Sequence, residues 1–303
     1  MSIKNKEKRK LFLIFAALGC FFSFFQPTCG AFTRVTGSGD GCPDWPTCFG
    51  SWIPPLNDIN AIIEWSHRTS GTLFGLVSIS VLIFSFLIYK KFNNITIIYT
   101  ISLILIIVVG GIGGIVVLSD LDPTIRTLHL AGALIIAALM TTGISLETIK
   151  PESNFGRKIK LLAITSSIFT LVTILSGAYM VWQQAGAVCY KWPLCSDYLL
   201  PKHSSQWIHM IHRIISIGLI YYLFIINYNL MKYYPSTFAS KIGKLFLIIG
   251  LSQFFSGALI PLTEFTVWSR TLHLSLATLT WMLSVVIIIA IRDYKINNQD
   301  KQT

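Results

Sequence analysis

Four histidines stand in otherwise apolar stretches of this chain: His67, His129, His212 and His273. Each has an arginine beside it. Arg68 and Arg213 directly follow His67 and His212, and Arg126 and Arg270 precede His129 and His273 by three residues. Residues three apart lie on one helix face. Neutral imidazole is the commonest side-chain metal ligand. Two imidazoles from facing helices at one depth can grip a planar iron complex from both sides, as the axial ligands of haem iron do. An arginine at membrane depth needs an anionic partner, and the two carboxylates on one edge of a haem would supply it. Two histidines per site make a thin ligand set for zinc or copper. A merely structural role, polar bridges between helices, does not account for four histidines in repeated pairs with repeated arginines.

Cys42 and Cys48, and again Cys189 and Cys195, form C-x5-C pairs around a Trp-Pro. The spacing differs from that of a zinc knuckle, so each pair is expected to close a disulfide that holds a loop as a lid. A redox-active dithiol in the first loop is the alternative. Cys20 and Cys29, nine residues apart, are about 13 Å apart on a helix; they cannot bridge each other and read as small apolar fillers. Glu64 lies three residues before His67, where the second half has His209. A carboxyl group there is a candidate proton acceptor or cation stabiliser, against the plainer reading of a solvated residue at a helix mouth. Gly110, Gly111, Gly113 and Gly114 crowd one stretch and fit either close helix contact or close approach of a flat ligand.

The elements that must position these groups follow from composition. Of 303 residues, 53% are hydrophobic and only 12% charged, with mean hydropathy +0.65. A soluble domain carries roughly 25% charge, so lipid must be the main solvent; a nucleic-acid module is excluded. About 20 apolar residues cross a bilayer. Eight stretches qualify, at 11–33, 61–89, 95–119, 124–146, 161–182, 206–231, 245–263 and 267–291. Backbone amides in lipid must be satisfied internally, which makes all eight helices. With the N-terminus inside, the inner segments hold 17 of the 24 Lys+Arg, and among the remainder only Arg34, Lys191 and Lys202 fall in outer loops. The positive-inside rule then puts both termini in the cytoplasm. The first apolar run exceeds a signal-peptide core and reads as a retained span, in the plasma membrane of a bacterium.

The chain is one unit written twice. Cys42, Trp45, Pro46 and Cys48 recur 147 residues later, His67-Arg68 recurs 145 later, and Arg126-Thr-Leu-His129 recurs 144 later as Arg270-Thr-Leu-His273. Each unit holds four spans, an even number, so both insert the same way up. The expected fold is an all-α integral membrane protein, eight transmembrane helices arranged as two pseudo-two-fold-related four-helix bundles. The divisions are a basic cytoplasmic N-terminus (1–10), an N-terminal bundle (11–148), a linker (149–160), a C-terminal bundle (161–292) and a tail (293–303).

In these motifs the chain resembles haem A synthase. The resemblance rests on TRVTGSG and CPDWPTC in the first outer loop, Glu64-Trp-Ser-His67-Arg68, Arg126-Thr-Leu-His129, the second Cys pair, His212-Arg213 and Arg270-Thr-Leu-His273. It implies oxidation of a ring methyl of haem O to a formyl group through a hydroxymethyl stage, for cytochrome oxidase biogenesis. It implies a haem b cofactor on His212 and His273, with Arg213 and Arg270 at its propionates. The substrate haem belongs near His67 and His129, with Arg68 and Arg126. Glu64 matches the family's functionally important glutamate, and Cys42 and Cys48 match a pair implicated in handling substrate haem. Expected partners are haem O, haem O synthase and an unidentified electron acceptor or donor. The second loop departs from the family pattern at Trp182-Gln183-Gln184 and Lys191. The competing function is an electron-transfer subunit with two permanent bis-His haems of the b type; a relay has no need of the Glu64/His209 difference. A membrane thiol oxidoreductase would leave the buried histidines without a role.

Overall fold

The computed structural model describes residues 3–89 and 92–293. Lys90 and Lys91 of one expected inner loop, and nearly all of the expected tail, lie outside the described residues. Eight helices follow in order: α1 (Ile3–Val35), α2 (Ile59–Tyr89), α3 (Asn94–Leu118), α4 (Pro123–Thr148), α5 (Arg157–Trp182), α6 (Ser204–Tyr233), α7 (Phe238–Leu262) and α8 (Val267–Ala290). All eight are long and apolar enough to cross a membrane, so this is a multi-pass membrane protein.

Most helix ends fall within two residues of the apolar runs, and side-chain caps fix several of the starts. The Asn93 side chain accepts from the Thr96 amide, Asp122 accepts from the Thr124 and Ile125 amides ahead of Pro123 in the first turn, and Thr237 accepts from the Ser240 amide. Each satisfies donors that a helix start leaves free. Hence α7 begins at Phe238, ahead of the apolar run expected from 245, and α1 extends back through the basic segment to Ile3.

Within each half the helices close a ring: α1–α2, α2–α3, α3–α4 and α4–α1, repeated as α5–α6, α6–α7, α7–α8 and α8–α5. The halves meet through α1–α8, α4–α8 and α4–α5. The repeat extends to the backbone. Asp120 and Leu121 take φ of 51° and 61°, and Glu264 and Phe265, 144 residues on, take 52° and 60°. Gly37 has φ 73° and Gln184, 147 residues on, has φ 54°. Gln184, one of the departures in the second loop, therefore keeps a left-handed turn that favours glycine.

Packing is concentrated at the end bearing the chain termini. Phe12, Val81, Tyr99, Ile136 and Met140 fill it in the first half, and Phe155, Leu223, Ile226, Phe246 and Ile287 in the second. Glu147 pairs there with Arg9 at 2.9 Å and accepts from the Tyr89 hydroxyl, tying α1, α2 and α4. The opposite end, which carries the two cysteine loops, is hollow.

Candidate functional site

Every one of the four histidines lies against a glycine of the preceding helix. A Cβ built on Gly30 of α1 would stand 3.2 Å from the His67 ring, on Gly113 of α3 3.0 Å from His129, on Gly177 of α5 3.1 Å from His212, and on Gly257 of α7 2.8 Å from His273. Only a residue without a side chain lets the two helices close on the imidazole. The glycine run in α3 thus divides into different uses. Gly113 seats His129, and a Cβ on Gly114 would stand 2.7 Å from the Trp45 ring. At Gly110 and Gly111 an added Cβ would meet nothing within 4 Å.

Three histidines are also oriented by their second ring nitrogen. His129 Nδ1 lies 3.0 Å from the Val109 carbonyl, and His273 Nδ1 lies 3.2 Å from the Gln253 carbonyl and 3.1 Å from Ser256 Oγ. A carbonyl only accepts, so Nδ1 carries the proton and Nε2 keeps the lone pair, the arrangement in which second-shell bonds ready an imidazole for a metal. His212 Nδ1 is 2.8 Å from Ser176 Oγ. His67 Nδ1 is buried without a partner.

His212 and His273 lie together with ring centroids 6.5 Å apart and planes at 84°, an edge-on arrangement. Two ring nitrogens on opposite sides of one transition metal, each roughly 2.0–2.1 Å from it, set ring centroids about 6 Å apart. The second-half pair therefore fits an axially ligated iron. Among the described residues, no three His, Cys, Asp or Glu side chains cluster as a zinc site would need.

A cavity of about 1470 Å³ reaches all four histidines, larger than the ~300–1,000 Å³ of a single small-molecule site. Arg34, Arg126 and Arg270 line it. Arg126 Nε and Arg270 Nε are buried without protein partners, which suits an anionic ligand such as a pair of propionate carboxylates. Sequence reasoning put Arg34 in an outer loop. It lies instead in the last turn of α1, and its counterpart 147 residues on is Val181, so the repeat does not mark it.

Arg68 and Arg213 are engaged elsewhere. Arg68 donates to the carbonyls of Asp44 (2.6 Å), Thr47 (2.8 Å) and Cys42 (2.8 Å), and pairs with Glu64. Arg213 donates to those of Lys191 (3.0 Å), Pro193 (2.9 Å) and Leu194 (3.1 Å). Each arginine fastens its half's cysteine loop to the helix bundle. Both loops carry the expected disulfides, Cys42–Cys48 and Cys189–Cys195, while Cys20 and Cys29 remain free. Arg68 still borders the cavity; Arg213 is not among its lining residues. Glu64 is 4% exposed, borders the cavity, and accepts from the Cys42 amide at 2.8 Å. Its counterpart His209 places Nδ1 3.0 Å from the Ala185 carbonyl. In the first loop, the Thr47 hydroxyl and the Gly50 and Phe49 amides hold the Asp44 carboxyl below the usual carboxylate range.

The family model described as cytochrome oxidase assembly protein (COX15-CtaA) matches residues 13–285. The chain belongs to this family. Among relatives that carry the name Heme A synthase, the protein of Bacillus pumilus is 30% identical over 220 residues, 68% of this chain and 70% of its own. That of Exiguobacterium sibiricum is 27% identical over 295 residues, 95% and 97% of the two chains. That of Geobacillus kaustophilus is 28% identical over 276 residues, 87% and 86%. The family match spans both histidine pairs and both cysteine loops, so membership applies to the whole site.

Proposed function

We propose that this protein is a haem A synthase, which oxidises a ring methyl of haem O to a formyl group through a hydroxymethyl stage. The carrying observation is the His212–His273 pair, 6.5 Å between centroids, repeated in sequence by His67 and His129 around one cavity. His212 and His273 hold a resident haem b, which when bound supplies an electron-transfer centre. His67 and His129 hold the substrate iron. Arg126 and Arg270, whose Nε atoms are buried in the cavity without partners, would receive propionate carboxylates.

Glu64 Oε borders the substrate side, where a carboxylate can take a proton or steady positive charge that develops during the oxidation. The first loop, drawn onto α2 through Cys42, Glu64 and Arg68, covers the cavity and keeps bulk water out. Arg68 and Arg213 act here as loop fasteners. Each stage removes two electrons from the ring carbon: an external acceptor takes them if water supplies the oxygen, whereas dioxygen as oxidant needs an external donor of two further electrons. Haem O synthase is the source from which haem O would be received. The protein sits in the bacterial plasma membrane with both termini in the cytoplasm and the cysteine loops outside, which the lysine and arginine distribution supports.

The test is to express the chain with and without a haem O supply and separate the haems extracted from purified protein. Haem b together with haem O, its hydroxylated form or haem A is expected when the supply is present. Haem b alone under both conditions would favour the electron-relay reading instead.

A further inference from the structure

The two halves are superposable in sequence along α3 and α7, and the structure anchors that register at two points. Val109 and Gln253 each offer a carbonyl to the Nδ1 of His129 and His273, Gly113 and Gly257 each press on the same two rings, and every pair is 144 residues apart. In this register Gly110 and Gly111 correspond to Phe254 and Phe255. The exchange puts two large aromatic side chains where the first half has none. Gly110 and Gly111 border the cavity, as does the neighbouring Ile107, which is 68% exposed. The cavity therefore reaches the lipid-facing surface of α3. On α7 neither phenylalanine borders it. Phe254 packs edge-on against Trp192 at 6.2 Å, whereas the equivalent Trp45 settles on Gly114 and leaves Gly110 and Gly111 open. Two buried nitrogens without partners, His67 Nδ1 and Arg126 Nε, belong to the same cavity and mark it as a place for a ligand.

Haem O differs from haem b in one substituent: a long farnesyl-derived chain replaces a vinyl group. A protein that keeps haem b in one half and takes haem O in the other must discriminate at that chain, because the macrocycle, iron and propionates are alike. We infer that Gly110 and Gly111 form the passage through which the isoprenoid chain of the substrate leaves the first half toward lipid. Phe254 and Phe255 close the equivalent passage in the second half and so reserve it for a haem without the chain. The inference rests on the proposed division of substrate and cofactor between the halves. An apolar chain placed over bare backbone loses its contact with water at no steric expense, while two aromatic rings in the same space exclude it.

The experiment transplants the difference in both directions and reads the haems extracted from purified full-length protein, made with a haem O supply. Gly110→Phe/Gly111→Phe is expected to retain haem b and to lose haem O and its oxidised forms by about tenfold or more, as overpacking of a fitted channel would cause. The same variant should still take added haem b into the first half, read as a gain in low-spin absorbance, since haem b lacks the chain. A blocked variant that refuses both haems has lost the pocket rather than the passage, and this outcome would overturn the inference. In the reverse arm, Phe254→Gly/Phe255→Gly is combined with His67→Ala/His129→Ala so that only the second half binds. Haem O should then appear beside haem b. Haem O content at the parent level in the first arm, or haem b alone in the second, would also overturn the inference. A parent protein devoid of haem O and its products would overturn the functional reading itself, an outcome separate from either.

Discussion

Glu64 is held by two groups of the first loop, the Cys42 amide and Arg68, and borders the cavity as well. Loop support and proton handling can be separated by substitution. Glu64→Ala is expected to leave haem b bound while lowering haem A formation by about a hundredfold or more, the scale of a lost acid–base group. Glu64→Gln keeps an acceptor for the Cys42 amide and should lose haem A all the same. Chromatography of extracted haems decides, and parent-level haem A from either variant removes Glu64 from the chemistry. His273→Ala or His212→Ala should abolish the low-spin haem b spectrum of the second half; an unchanged spectrum would reject that pair as the resident ligands. The histidines, cysteines and Glu64 were legible in the sequence because each recurs, or fails to recur, at a fixed interval. Arg34 was not, since its counterpart is Val181 and the apolar window ended just short of it. The use of Arg68 and Arg213 was hidden for another reason. An arginine is long enough to serve a loop or a ligand, and spacing along a helix does not choose between them.

At the scale of single elements, all eight helices were readable, and their ends fall within two residues of the apolar runs except at the starts of α1, α5 and α7. Hydropathy reports contact with lipid, whereas a helix stops where its free amides find partners. Thr237 lets α7 start among lysines, before the hydrocarbon begins. The glycine of each helix pair was equally hard to assign, because a small residue looks the same in sequence whether it faces a ring, an indole or a void. The contact at Gly257, where a Cβ would come to 2.8 Å from His273, gives a direct check. Gly257→Ala should push the imidazole off its axis at about 1–3 kcal/mol of overpacking and weaken retention of haem b. Gly110→Ala, with open space around it, should leave haem b retention unchanged. Absorption spectra and haem loss on mild heating would compare the two, and equal retention would show that the glycine contact does not set the ligand position.

For the molecule as a whole, the internal repeat gives the order of helices in each half, but not the way the halves meet. A duplicated sequence describes each copy and is silent on the surface between them. Trp281 of α8 donates to the Leu134 carbonyl of α4 at 2.9 Å, and Arg270 of α8 donates to the Val35 carbonyl at the end of α1 at 3.1 Å. Arg270 thus belongs to one half and touches the other, within a cavity common to both. Arg270→Ala is expected to lower both haem b retention and substrate haem content in purified protein; a loss confined to haem b would show that the halves work separately. The four glycine–histidine contacts carry a last implication, for how such a chain tolerates drift. Where the main chain of a neighbouring helix sets the seat of a ligand, the identity of the surrounding aliphatic residues matters little. Leucine, isoleucine, valine and phenylalanine can then exchange around the four seats while the imidazoles keep their places.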